Sequence, residues 1–151
     1  MNVILQIVAA FIGTLGFAVL FNIRGVRLVV AALGGLLSWA IFLLFRAMNI
    51  SEPLGYFLVA VIIMLYSEIM ARVLKTPTTT FITTSLIPLI PGGSLYYTMT
   101  SAFSADTQDF LSKGFSTLKL ASALALGIIV ASALAKMIFK NKTVAQSEEM
   151  R

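Results

Sequence analysis

The chain has 151 residues, of which 59% are hydrophobic and only 11% charged, and its mean hydropathy is +0.98. A soluble domain does not cover its surface with so few charges, so the composition excludes an ordinary globular protein and points to a small polytopic membrane protein, an all-α helical bundle. Cysteine and histidine are both absent, which removes disulfides, thiol nucleophiles, Cys/His metal sites and the usual neutral-pH proton shuttle; no catalytic residue, metal or cofactor is expected. The net charge of +5 does not imply nucleic acid, because the eleven cations are scattered between apolar stretches instead of forming one basic face.

Asn2–Phe21 carries no charge and is long enough to cross a bilayer. Arg24 and Arg27 follow this stretch instead of preceding it, so it reads as a retained first span and not as a cleaved signal. Leu28–Phe45 is the second span, with Gly34, Gly35 and Ser38 forming a small side that another helix can approach; Trp39 reads as packing or an interface anchor. After a polar link at Arg46–Pro53, in which Ser51 and Pro53 suit a helix start, the third span runs over about 54–74. It holds Glu68, which lies one turn before Arg72 in the order that favours an ion pair. The pair is either structural, near the headgroups, or a carboxylate linked to protons or substrate, since ionisable groups inside spans are costly and often functional.

The fourth span, about 77–103, is expected to start with Thr76 as N-cap and Pro77 at the first helical position. Thr80, Thr83 and Thr84 then share one face. They either hydrogen-bond within the fold or line a path. Pro88, Pro91, Gly92 and Gly93 break the helical ladder, since proline lacks the backbone donor and glycine weakens the helix. Irregular backbone at membrane depth persists only where protein or a water-filled cavity satisfies it. Ser94 is expected to cap a second half-helix through Tyr96 and Tyr97 to Phe103. A substrate site is therefore expected at Thr80, Thr83, Thr84, Pro88, Pro91, Gly92, Gly93, Ser94 and Tyr96, with Glu68, Arg72 and Lys75 as coupling or charge-pair residues; the competing reading is a packed proline kink.

Ser104–Gly114 reads as a solvated link, since Asp106 and Asp109 lack the further ligands a divalent ion needs. The last span, about 115–139, carries Ala123, Gly127, Ala131 and Ala135 at four-residue spacing, a helix-packing stripe. The membrane domain is thus 1–139, with spans at about 2–21, 28–45, 54–74, 77–103 and 115–139, and 140–151 is a cytoplasmic tail. Placing the amino terminus outside puts eight cations on the cytoplasmic side (Arg24, Arg27, Arg72, Lys75, Lys136, Lys140, Lys142, Arg151) against three outside (Arg46, Lys113, Lys119). A re-entrant fourth segment would change the count of spans and the side of the carboxyl terminus.

The stretches ARVLKTPTTTF (71–81) and PLIPGGSLYYTM (88–99) resemble the threonine/serine exporter family, and more narrowly the small membrane subunit of its split form, as in bacterial two-component succinate exporters. The NIRG turn at 22–25 and the Gly34–Gly35 pair extend the likeness. The resemblance implies export of small amino acids or dicarboxylates across the bacterial cytoplasmic membrane, driven by the proton-motive force. It also implies a separate larger membrane subunit as partner. Independently, five helices without an internal repeat supply at most one of the two bundles that alternating access uses, so a partner or homo-oligomer is required. The alternative is an assembly or scaffold subunit whose hydroxyl face and small-residue stripe only dock neighbours. An enzyme is disfavoured, because Glu68 and Arg72 have no nucleophile and base beside them.

Overall fold

A computed structural model describes residues 2–103 and 107–149, with 138–149 as backbone alone. Its elements are α1 (Val3–Leu20), α2 (Val26–Ala47), α3 (Glu52–Val73), α4 (Thr78–Ser85), a 3-10 turn (Ile87–Leu89), α5 (Gly92–Phe103) and α6 (Thr107–Glu149). Among the described residues, four helices are long and apolar enough to cross a membrane: α1, α2, α3 and the Thr107–Met137 part of α6. The outer residues of α1, among them Ile4, Ile12 and Leu20, are exposed, as expected where lipid is the solvent. The fourth predicted span is broken as its prolines and glycines require. At 1.5 Å per residue α4 is about 12 Å long and α5 about 18 Å, each too short to cross alone.

The first three helices end alike. Ile23 donates to the Ala18 carbonyl, Ile50 to Phe45 and Thr76 to Ala71, while Asn22, Asn49 and Lys75 take left-handed φ of 58°, 57° and 48°. Each end is a Schellman closure that satisfies terminal carbonyls. Asparagine tolerates this conformation, whereas lysine pays the β-carbon clash. Lys75→Gly should accordingly stabilise the protein by about 1 kcal/mol, read as a raised unfolding midpoint in detergent.

Helix α2 packs against α1, α3 and α4, and α6 lies along α3 and α5. Small residues permit the closest approaches. The position a β-carbon of Gly34 would take is filled by the Ser85 side chain of α4, and that of Gly35 by Thr14 of α1. Gly127 of α6 sits against the Phe57 carbonyl and Ala60 of α3, and Ala131 and Ala135 are buried. One core cluster joins Ala18, Ile23, Ala31, Ala71 and Phe81, so the α1–α2 and α3–α4 connections lie at one end of the bundle. A second joins Phe42, Tyr56, Val59, Ile63, Leu89 and Leu120 towards the α2–α3 connection.

Several expected boundaries move. Thr76 does not cap α4: Pro77 occupies the cap position, and the Thr76 hydroxyl donates back to the Leu74 carbonyl at 2.9 Å, because the chain there is still closing α3. Nor does Ser94 cap α5, which already begins at Gly92; the Pro91 carbonyl accepts the Leu95 N–H at 3.0 Å, and proline needs no donor at that position. The last helix starts at Thr107 and continues through the expected tail to Glu149. Residues 107–114 are not a loop because Asp109 and Lys113 pair one turn apart, and 138–149 contains no proline or glycine to stop the helix. Asp106 and the last two residues lie outside the described residues.

Candidate functional site

The site grows from the junction of α3 and α4. Glu68, near the end of α3, uses both carboxylate oxygens: Arg72 donates to Oε1 at 2.6 Å and the Thr78 hydroxyl to Oε2 at 2.7 Å. The ion pair predicted from spacing therefore also anchors the first residue of α4. Lys75 lies in the connection, exposed.

From that anchor α4 presents two hydroxyl faces. Thr79, Thr80 and Thr83 line a recess of about 240 Å³ together with Phe21 and Ile23 from the α1–α2 connection. Thr84 faces inward and is fully buried, its hydroxyl donating to the carbonyls of Thr80 (3.0 Å) and Phe81 (3.1 Å). Of the predicted threonine face, Thr80 and Thr83 thus border open space, and Thr84 bonds within its own helix.

The break follows. Leu89 donates to Leu86 at 2.9 Å, Ile90 to Ile87 at 3.1 Å and Gly92 to Ile90 at 2.6 Å. Pro88 has no N–H for the Thr84 carbonyl, and the Leu89 N–H that would serve Ser85 goes to Leu86, so α4 ends with two carbonyls deprived of their i+4 donors. Leu89 is the plug of this segment, fully buried among Tyr56, Val59 and Ile63. Since α4 starts beside Glu68 and Leu89 clusters with residues about one to three turns earlier on α3, the segment advances across the bundle. Pro88 borders a recess of about 220 Å³ with Gln6, Ala9, Ala10 and Trp39.

Beyond the plug, Gly92 and Gly93 are exposed, and a β-carbon on either would meet nothing within 4 Å. Tyr96 and Tyr97 form an edge-to-face pair at 5.6 Å and are 66% and 60% exposed, so they present aromatic surface outward. The inner side of α5 is polar and fixed to α6: Thr98 bonds Thr117 at 3.0 Å, the Ser101 hydroxyl donates to Asp109 at 2.6 Å, and Lys113 donates to Asp109 at 2.7 Å and to Ser101 at 3.0 Å.

The predicted site residues therefore fall into two groups. Glu68, Arg72, Thr80 and Thr83 gather at the end of the bundle that holds the α1–α2 and α3–α4 connections. Pro91, Gly92, Gly93, Ser94 and Tyr96 lie on the far side of Leu89. Of the predicted packing stripe, Ala123 packs on the second core cluster, Gly127 on α3, and Ala131 and Ala135 are buried. Sequence reading missed Thr79, although it adjoins Thr80 and shares the Thr83 face. It also missed Phe21 and Ile23, which reach the recess only because Asn22 turns the chain. The buried hydroxyls of Thr14, Ser67 and Ser85, which have no hydrogen-bond partner, were likewise not legible. Among the described residues no group of three Asp, Glu, His or Cys gathers to hold a metal.

Compared with known families, residues 6–134 match the family described as Threonine/Serine exporter, ThrE. No curated protein and no solved structure matches the chain. The match covers α2 to α5 whole and most of α1 and of the spanning part of α6, so it embraces both groups of site residues and the break between them. This multi-pass helical membrane protein, built around an interrupted helix, belongs to the threonine/serine exporter family of transport proteins.

Proposed function

We propose that the chain is the small membrane subunit of a secondary transporter that exports a small polar metabolite, a threonine/serine-type amino acid or a dicarboxylate such as succinate. Export crosses the bacterial cytoplasmic membrane, uses the proton-motive force and requires a larger membrane subunit of the same family. The observation that carries this reading is the interrupted segment α4–turn–α5, with a threonine-lined recess before the plug and unencumbered glycines after it. A discontinuous helix offers a substrate backbone groups that a continuous helix keeps to itself. The α1–α2 and α3–α4 connections, with Arg24 and Lys75 in them and Arg27 and Arg72 beside them, meet at one end; with the amino terminus outside, that end is cytoplasmic and draws carboxylate-bearing substrates towards Thr79, Thr80 and Thr83.

Gly92→Val and Gly93→Val test the reading. Both side chains have room, so the variants should insert, fold and associate with the large subunit as the parent does. Export by cells co-expressing both subunits should nevertheless fall about tenfold or more, as expected when the new side chain blocks a substrate contact through a backbone amide. Parental flux would make the break a packing kink and place the site in the partner. The exposed Leu95, Tyr96 and Tyr97 favour a second reading, an assembly subunit. It predicts the reverse: flux survives both glycine substitutions and is lost, together with assembly, on Tyr96→Ser/Tyr97→Ser.

A further inference from the structure

At the opposite end of the bundle, the α2–α3 connection forms a recess of about 200 Å³ lined by Phe42, Arg46, Ile50 and Glu52. The left-handed turn at Asn49 folds the chain so that the last turn of α2 and the first turn of α3 border the same space. Arg46 and Glu52 have opposite charge and share this recess, yet they form no ion pair. Ion pairs do form elsewhere in the chain, at Glu68–Arg72 and at Asp109–Lys113. Arg46 lies in the last turn of α2 and Glu52 in the first turn of α3, where each charge is also favoured by its own helix dipole. Both charges also act on Tyr56, whose ring packs edge-on against Phe42 at 5.0 Å.

We propose that this recess binds a small zwitterion, its carboxylate on the Arg46 guanidinium and its ammonium on the Glu52 carboxylate, with its carbon skeleton over Phe42 and Ile50. A volume of about 200 Å³ equals that of about seven waters at ~30 Å³ each, which suits a molecule with a similar number of non-hydrogen atoms. A dianion satisfies Arg46 but meets Glu52 with like charge, and a monocation does the converse. With the amino terminus outside, the recess faces the exterior, where it would hold the exported molecule. That placement rests on the exporter reading, whereas the binding does not.

The single tryptophan, Trp39, packs on Phe42 at a ring distance of 5.4 Å and so reports on the recess. Tryptophan fluorescence of the full chain in lipid nanodiscs should respond to threonine, and at least about tenfold more weakly to succinate and to threonine methyl ester. Arg46→Gln and Glu52→Gln, both at exposed positions, should keep parental circular dichroism and each weaken the threonine response about tenfold; Thr80→Val/Thr83→Val should leave it unchanged. No saturable response to threonine, equal responses to the three probes, or parental affinity in either charge variant would overturn the proposal. The exporter reading is judged separately, by flux in Gly92→Val, which leaves this recess intact.

Discussion

Gly127→Leu is expected to unfold the α3–α6 packing, lowering stability by at least about 1–3 kcal/mol, the range for overfilled cores. A β-carbon at this position would lie 2.6 Å from the Phe57 carbonyl oxygen and 2.7 Å from the Ala60 methyl. A flexible side chain would swing away, but the first obstacle is backbone, so the helices must separate. Lipid offers no hydrophobic compensation for that separation, because helix association in a bilayer rests on close packing. The loss should show as a lowered unfolding midpoint of the chain by itself in detergent, before any partner is added. Gly16→Ala is the control: a β-carbon there meets nothing within 4 Å, and no loss is expected. The reading of the four-residue stripe changes accordingly. Gly127, Ala131 and Ala135 are buried or in close contact within one chain, so a defect in subunit assembly would follow from a defect in this helix pair.

Gly35→Val should be comparably damaging, by about 1–3 kcal/mol, for a reason that a second substitution can isolate. The new β-carbon would overlap the Thr14 side chain of α1, hydroxyl, β-carbon and methyl alike. Thr14 is fully buried, so it has no solvent to move into. Thr14→Gly alone removes a packed side chain and should also destabilise. The Gly35→Val/Thr14→Gly protein, however, should be more stable than the sum of the two single losses predicts, because the clash no longer exists. Strict additivity of the unfolding midpoints would show that α1 and α2 do not meet at this pair. The neighbouring Gly34 plays the same part towards Ser85 of α4. One glycine pair thus admits α1 on one side and the interrupted segment on the other, which makes α2 the helix against which the candidate site is built.

The amino-acid sequence by itself determined the class and the place of the irregularity. Charge-free runs separated by cations define spans, because a helix buries its own backbone polarity and can sit in lipid wherever its side chains are apolar. Pro88, Pro91, Gly92 and Gly93 forbid a regular ladder through the fourth of them wherever they are placed. The Glu68–Arg72 pair was legible for the same reason, since i,i+4 geometry is a property of the helix itself. Only the tertiary structure decided which hydroxyls border open space. Thr80, Thr83 and Thr84 are near neighbours on one face, yet Thr84 is turned inward by the contact of α4 with α2, while Thr83 meets the recess formed by Phe21 and Ile23. The separation of the threonine recess from Gly92 and Gly93 by the buried Leu89 was equally invisible, because it depends on Tyr56, Val59 and Ile63 of another helix. The meeting of Arg46 and Glu52 across a recess depends on the left-handed turn at Asn49. Periodicity fixes what a helix presents, but the depth and direction at which neighbouring helices meet it are set by their close contacts, here at Gly34, Gly35 and Gly127.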